Sequence, residues 1–182
     1  MTIRLVVVFL ISNFIFAANA AAQMSVTTIG ATDAAECYEN ASSGFISDTG
    51  PCDAAINSAG MTRRDKMKTY VNRGIIHNHN QDLQAAIDDF NAALEIDDDL
   101  AEAYLNRGNS FFLASQYDNA LADYETALDN EITKPWAAWY NIGLVYDAQK
   151  QPAKAQEAYA EALALNPSFT LAQEKLETHS EH

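Results

Sequence analysis

Three glycines stand 34 and then 35 residues apart, each inside the same short phrase: Tyr70-Val71-Asn72-Arg73-Gly74, Tyr104-Leu105-Asn106-Arg107-Gly108 and Trp139-Tyr140-Asn141-Ile142-Gly143. Downstream of each glycine lies one apolar skeleton, read as Ala86, Phe90 and Ala93, then Ala120, Tyr124 and Ala127, then Ala155, Tyr159 and Ala162. A period of this length, kept three times, means that one supersecondary unit is repeated. Glycine within a helix costs about 1 kcal/mol against alanine. Three in register therefore require a neighbouring helix too close to tolerate a side chain. Ala86, Ala120 and Ala155 are the small residues expected on that second helix, with Phe90, Tyr124 and Tyr159 expected to fill the space between successive pairs. The aromatic, the glycine four residues on, and then His77, Phe111 or Tyr146 recur at helical spacing on one face. Each unit is a helical hairpin that cannot bury its apolar face alone and must stack.

Composition agrees: alanine is abundant, glycine and proline are scarce, and the 182 residues suffice for one domain. Pro152 fits the first turn of a helix, where its missing N–H is harmless. Asp82, Ser115 and Asp118 stand where helix caps are expected, and Thr62-x-x-Asp65 would cap the helix carrying Gly74. Asn166-Pro167-Ser168 closes the third unit, because the residue before proline is pushed out of the helical region.

The third unit, Trp139-x-x-Ile142-Gly143-x-x-Tyr146 followed by Ala155-x-x-x-Tyr159 and Pro167, resembles the tetratricopeptide-repeat family, and the resemblance extends from Met67 to Phe169. It implies an all-α fold, a right-handed superhelical stack of helical hairpins. Three units are expected at 67–100, 101–134 and 136–169, with a capping helix and tail at 170–182. Departures from the family pattern are local. Asp98 and Ile132 replace the unit-ending proline, Gln81, Ser115 and Lys150 stand near the missing turn glycine, and one residue is inserted around Asn130 to Lys134.

Before the repeats, residues 1–22 read as an export signal. Arg4 supplies the positive end, Leu5 to Phe16 the apolar core, and Ala18-Asn19-Ala20 the cleavage pattern, with cleavage after Ala20 or Ala22. The apolar run is short of the ~20 residues that cross a bilayer, which favours a cleaved signal over the alternative of a retained anchor, and no membrane insertion is expected after cleavage. Residues 23–66 then form a lead-in and a degenerate hairpin, with helices expected over 33–43 and 51–59 and a break at Gly44 to Gly50. Cys37 and Cys52 are the only cysteines. They form either one bridge, worth about 3 kcal/mol for so short a loop, or two buried thiols; the exported context favours the bridge.

The family resemblance also implies protein–protein binding along the concave face lined by the first helix of each unit. Carried over by position, the groove residues are Val71, Ile75 and His79, then Leu105, Asn109 and Phe112, then Tyr140, Leu144 and Asp147; packing between helices is the competing reading for Val71, Ile75, Leu105 and Leu144, and stands level with ligand contact for Phe112 and Tyr140. Asn109 would hydrogen-bond a ligand backbone, whereas Asn72, Asn106 and Asn141 are read as structural. A clamp for a C-terminal carboxylate is disfavoured, because Val71, Ile75, Tyr140 and Leu144 stand where charge is needed. The formal charge of −14 argues against nucleic acid and anionic lipid and favours a neutral or basic protein or peptide. No catalytic motif, metal-ligand pattern or cofactor loop is present in the sequence. The acidic pairs and triplets, Asp88-Asp89 and Asp97-Asp98-Asp99, read as solvated helix ends. Two functions follow: a non-catalytic binding module in the periplasm or outside the cell, or an assembly component acting through self-association or repeat edges.

Overall fold

The computed structural model describes residues 32–180, and the signal-like segment with most of the lead-in lies outside them. The described residues form nine helices and no strand: α1 (Thr32–Ser43), α2 (Gly50–Ile56), α3 (Arg63–His79), α4 (Leu83–Leu94), α5 (Ala101–Leu113), α6 (Tyr117–Asp129), α7 (Pro135–Ala148), α8 (Pro152–Leu165) and α9 (Thr170–Ser180). Helices pair as α3–α4, α5–α6 and α7–α8, and each pair packs on the next. This is an α-solenoid, with α1–α2 stacked on α3 at one end and α9 on α8 at the other. No described helix is long and apolar enough to cross a membrane.

The glycines do what their register demands, with one correction. The rings of Phe90, Tyr124 and Tyr159 do not merely fill space between pairs; each packs directly against the glycine of its own unit. A Cβ on Gly74 would come 2.7 Å from the Phe90 ring, and one on Gly108 2.6 Å from the Tyr124 ring. Gly143 and Tyr159 are closer still. Ala86, Ala120 and Ala155 are fully buried beside them.

Beside each of the first two contacts runs a buried ion pair. Arg73 grips Asp89 through Nε and Nη2 at 2.8 and 2.6 Å, and Arg107 grips Asp123 through the same atoms at 2.8 and 2.7 Å. Such planar two-point contacts are the strong form of the arginine–carboxylate interaction. Asp89 is therefore a buried partner and not the solvated helix residue expected from its neighbour Asp88. In the third unit Ile142 and Ala158 occupy the equivalent places, both buried.

Thr62 caps α3 as expected, its Oγ1 accepting the Asp65 N–H at 3.1 Å. The other expected caps do not form. Asp82 precedes α4 and Gln116 precedes α6, and neither makes a side-chain cap bond. Ser115 instead takes a left-handed conformation (φ 59°), as do Gln81 (64°) and Lys150 (59°), each in the turn inside its hairpin. Those are the places where the sequence lacks the turn glycine. Glu131 (54°) takes up the one-residue insertion before α7. At the N-terminal end α2 stops at Ile56, short of residue 59.

The α1–α2 hairpin follows the repeat's plan. Cys37 and Cys52 are bridged, 15 residues apart, with Cα atoms 4.8 Å apart. Asp53, the residue after Cys52, accepts from Arg73 Nη1 at 2.6 Å. Asn91, the residue after Phe90, accepts from Arg107 Nη1 at the same distance. Ala55 and Ala93, three residues after Cys52 and Phe90, are both fully buried. The disulfide thus takes the place of the glycine–ring contact.

Candidate functional site

The expected groove divides into a covered part and an accessible part. Val71, Ile75, Leu105 and Tyr140 are 0, 0, 0 and 1% exposed, so no ligand reaches their side chains in this fold. Val71 and Ile75 pack with Cys37 and Ala41 of α1, together with Met67 and Ile76. Tyr140 packs between Tyr159 and Phe169, at ring distances of 5.5 and 5.2 Å. Burial pushes its hydroxyl up to about 12, with the charges of Glu174 and Asp147 adding to the effect. The reason for the correction is common to all four: apolar residues at helical spacing on an inner helix pack against the preceding or following helix.

The two polar groove residues have structural partners. Asn109 Oδ1 accepts from Tyr124 Oη at 2.9 Å and from Asn141 Nδ2 at 2.9 Å. Asp147 Oδ2 accepts from Tyr159 Oη at 2.7 Å and from Lys175 Nζ at 3.3 Å. Its other oxygen lies 2.7 Å from His179 Nε2, so α9 closes over it. Buried hydroxyls need acceptors, and the pattern obeys that requirement unit by unit. Tyr124 is served by Asn109 and Tyr159 by Asp147, whereas Phe90 has no hydroxyl and its unit carries Ile75 at the place of Asn109. Desolvation raises both tyrosines well above the ordinary phenol, helped at Tyr159 by its bond to Asp147.

A second set of amides joins successive inner helices. Ser110 Oγ donates to Asn78 Oδ1 at 2.8 Å, and Asn78 Nδ2 reaches the Asn106 carbonyl at 3.5 Å. Asn106 Nδ2 donates back to the Glu102 carbonyl at 2.8 Å. Asn72, Asn106 and Asn141 are all buried. Asn78 and Ser110 are functional in this structural sense, and the sequence reading passed over them because neither repeats. Asp89 and Asp123 were missed for a different reason: their signal is an Arg-to-Asp spacing of 16 that occurs in two units and not the third.

The accessible part comprises Phe112 and Leu144, both half-buried, and His79. Phe112 leans on Tyr117 at 6.0 Å between ring centres. His79 lies under the α1–α2 loop, where Asn80 Nδ2 donates to the Ser47 carbonyl at 2.9 Å. Burial lowers its imidazole below the ordinary value. Among the described residues no cluster of three or more His, Cys, Asp or Glu could hold a metal ion.

A tetratricopeptide-repeat profile matches residues 101–131 and 136–169, and a second TPR-repeat profile matches 74–115. The chain belongs to the tetratricopeptide-repeat family. Over 67 residues this TPR chain is 37% identical to DnaJ homolog subfamily C member 7 of Homo sapiens, covering 37% of the chain and 14% of that protein. Over 90 residues it is 29% identical to Protein bimA of Emericella nidulans, covering 50% of the chain and 11% of that protein. The chain thus spans a small part of these curated relatives. Among solved structures it resembles MamA, with a TM-score of 0.60 at 24% identity over 72% of this chain and 78% of that one. It also resembles YrrB, described as a TPR protein with an unusual peptide-binding site, with a TM-score of 0.60 at 23% identity over 72% of this chain and 66% of that one. These two likenesses are of fold.

Proposed function

We propose that the chain is an exported, non-catalytic adaptor that holds an extended peptide or a helix of another protein on the inner face of its stack. The observation that carries this reading is the uneven covering of that face. Its ends are closed by α1 over Val71 and Ile75 and by α9 over Asp147, while Phe112 and Leu144 between them keep part of their apolar surface in solvent. Half-buried apolar anchors in a rigid helical frame suit the ligand-in-groove mode of recognition. Asn109, its amide oxygen taken, would offer Nδ2 to a ligand carbonyl.

The formal charge of −14 favours a neutral or basic ligand over nucleic acid. The peptide-binding site named for YrrB supports the reading by analogy, since fold alone does not fix function. Export rests on the signal-like pattern at residues 1–22, and the Cys37–Cys52 bridge is of the kind that oxidising compartments sustain.

Fluorescence anisotropy tests the groove. Peptides of graded charge are titrated against the chain and against a Phe112→Ala/Leu144→Ala variant whose helicity is checked by circular dichroism. The expected result is binding of neutral or basic peptides by the chain and a loss of tenfold or more in the folded variant. Equal binding by both proteins would remove the groove. Concentration-dependent self-association without peptide binding would support assembly through repeat edges instead.

A further inference from the structure

Four residues after each repeat glycine stand Asn78, Phe112 and Asp147, and only the last is charged. Asp147 lies three residues beyond Leu144 on α7, so the half-buried apolar anchor and the carboxylate are surface neighbours, about 5–6 Å apart at Cβ. The carboxylate makes three polar contacts. Tyr159 Oη at 2.7 Å and Lys175 Nζ at 3.3 Å donate to one oxygen, and His179 Nε2 lies 2.7 Å from the other. A carboxylate has about four acceptor positions, so about one is left. The Asp147 side chain keeps 22% of its surface in solvent. Glu174, exposed on α9, adds a second negative charge, and both act on the Tyr140 hydroxyl. Lys175 makes the longest of the three contacts, with its side chain 35% exposed. Its ammonium has one further neighbour, the Tyr159 ring at 6.0 Å. The C-terminal segment keeps other holds on the stack: the fully buried Ala172, Phe169 against Tyr140 at 5.2 Å, and Gln156 Nε2, which donates to the His179 carbonyl at 3.2 Å.

Resting on the peptide-binding reading of the inner face, we infer that Asp147 is its specificity-determining residue. It selects ligands that carry lysine or arginine beside the apolar residue seated on Leu144, and Lys175 is the stand-in occupant that the ligand's cation replaces. A cation on a ligand already anchored at Leu144 meets Asp147 at about millimolar effective concentration. It therefore competes with a tethered lysine that solvent readily takes back. The exchange leaves no charge buried without a partner: Lys175 turns to water, and Asp147 keeps a cation beside it. Arginine gains more than lysine, because its planar fork fills the remaining acceptor position as well.

Fluorescence anisotropy of the full chain tests it with three apolar peptides, identical except for lysine, glutamine or glutamate two residues after a central leucine, about 7 Å along an extended chain. The natural chain is expected to bind the lysine peptide about tenfold more tightly than the glutamine peptide, and the glutamate peptide least. Asp147→Asn, which keeps an acceptor for Tyr159, removes that preference and leaves binding of the glutamine peptide unchanged. Lys175→Ala tightens the lysine peptide about threefold. Lys134→Ala, which removes the same charge at the start of α7, does not. Circular dichroism checks that each variant folds; should Asp147→Asn fail to, the two lysine variants decide. A lysine preference that survives in folded Asp147→Asn, or equal shifts from the two lysine variants, overturns the inference and assigns the preference to the charge of the whole chain. Equal binding of the lysine and glutamine peptides, both lost in Phe112→Ala/Leu144→Ala, overturns it while the groove stands. Binding of no peptide removes the groove and its selectivity together.

Discussion

Cys37 and Cys52 meet across the first hairpin at the place where Gly74 meets Phe90 in the next. The sequence separations, 15 and 16, are nearly equal, and the arginine of the following unit reaches for the residue after Cys52 as the next one does for the residue after Phe90. One fastening point is thus filled by a covalent bond, a phenyl ring or a phenol ring, according to what the neighbouring residues can satisfy.

The glycine–ring contact leaves no room for a methyl group. Gly108→Ala would set a Cβ 2.6 Å from the Tyr124 ring and 3.3 Å from the Ala120 carbonyl. Overpacking costs of about 1–3 kcal/mol outweigh the gain in helix propensity of about 1 kcal/mol. Urea denaturation should show a lowered midpoint, with Gly108→Ala/Tyr124→Leu recovering part of the loss.

The ion pair and its apolar replacement in the third unit give a double-mutant cycle. Asp123→Ala leaves the Arg107 guanidinium half-buried without its carboxylate, a change expected to cost about 3 kcal/mol or more. Arg107→Ile/Asp123→Ala copies Ile142 and Ala158 and should cost less than either single change, measured by thermal unfolding.

Asn109 serves Tyr124 in this fold, so its removal is felt as stability. Asn109→Ile orphans the fully buried Tyr124 hydroxyl and the Asn141 amide, at about 1–3 kcal/mol for an unsatisfied buried group. Adding Tyr124→Phe, which reproduces the Ile75 and Phe90 pairing, should restore part of the loss in chemical denaturation. A purely ligand-facing Asn109 would show neither effect.

The turns admit a gain. Gln81, Ser115 and Lys150 all adopt left-handed backbone, which glycine takes without a Cβ penalty. Each glycine substitution should stabilise by about 0.5–1 kcal/mol, read as a raised unfolding temperature.

His79 sets a pH dependence. Burial holds its folded-state imidazole below the ordinary value of about 6.5. The unfolded chain therefore takes up the proton first as pH falls. The stability is fully present above about pH 6.5 and is lost as pH drops through the lower folded value. Urea midpoints between pH 7.5 and 5 should fall more steeply for the natural chain than for His79→Gln.

The repeats were legible because glycine, alanine and ring recur at one spacing, and Thr62-x-x-Asp65 and Pro152 marked helix starts that the structure contains. The inner face was less legible. Periodicity places Val71, Leu105 and Tyr140 on a face but does not say whether another helix covers it, and α1 and α9 do much of that covering. Asn109 and Asp147 looked like ligand contacts because their hydroxyl partners lie 15 and 12 residues away on the second helix. The left-handed turns at Gln81, Ser115 and Lys150 were marked only by the repeat register, as the places of the missing turn glycine, since none of these residue types itself favours that conformation.

A chain of near-identical hairpins must also arrange its copies in the right order. The amide ladder along the inner helices is different at each junction: Asn78 with Ser110 and Asn106 at one, Asn109 with Asn141 at the next. Stacking the third hairpin directly on the first would set the Asn141 amide against Ile75 and strand it in a dry interface. Mispairing or exchange of hairpins between two chains meets the same obstacle, because each junction accepts only the neighbour whose side chains complete it. The polar residues buried between the repeats act as addresses, telling alike modules apart where their apolar surfaces do not.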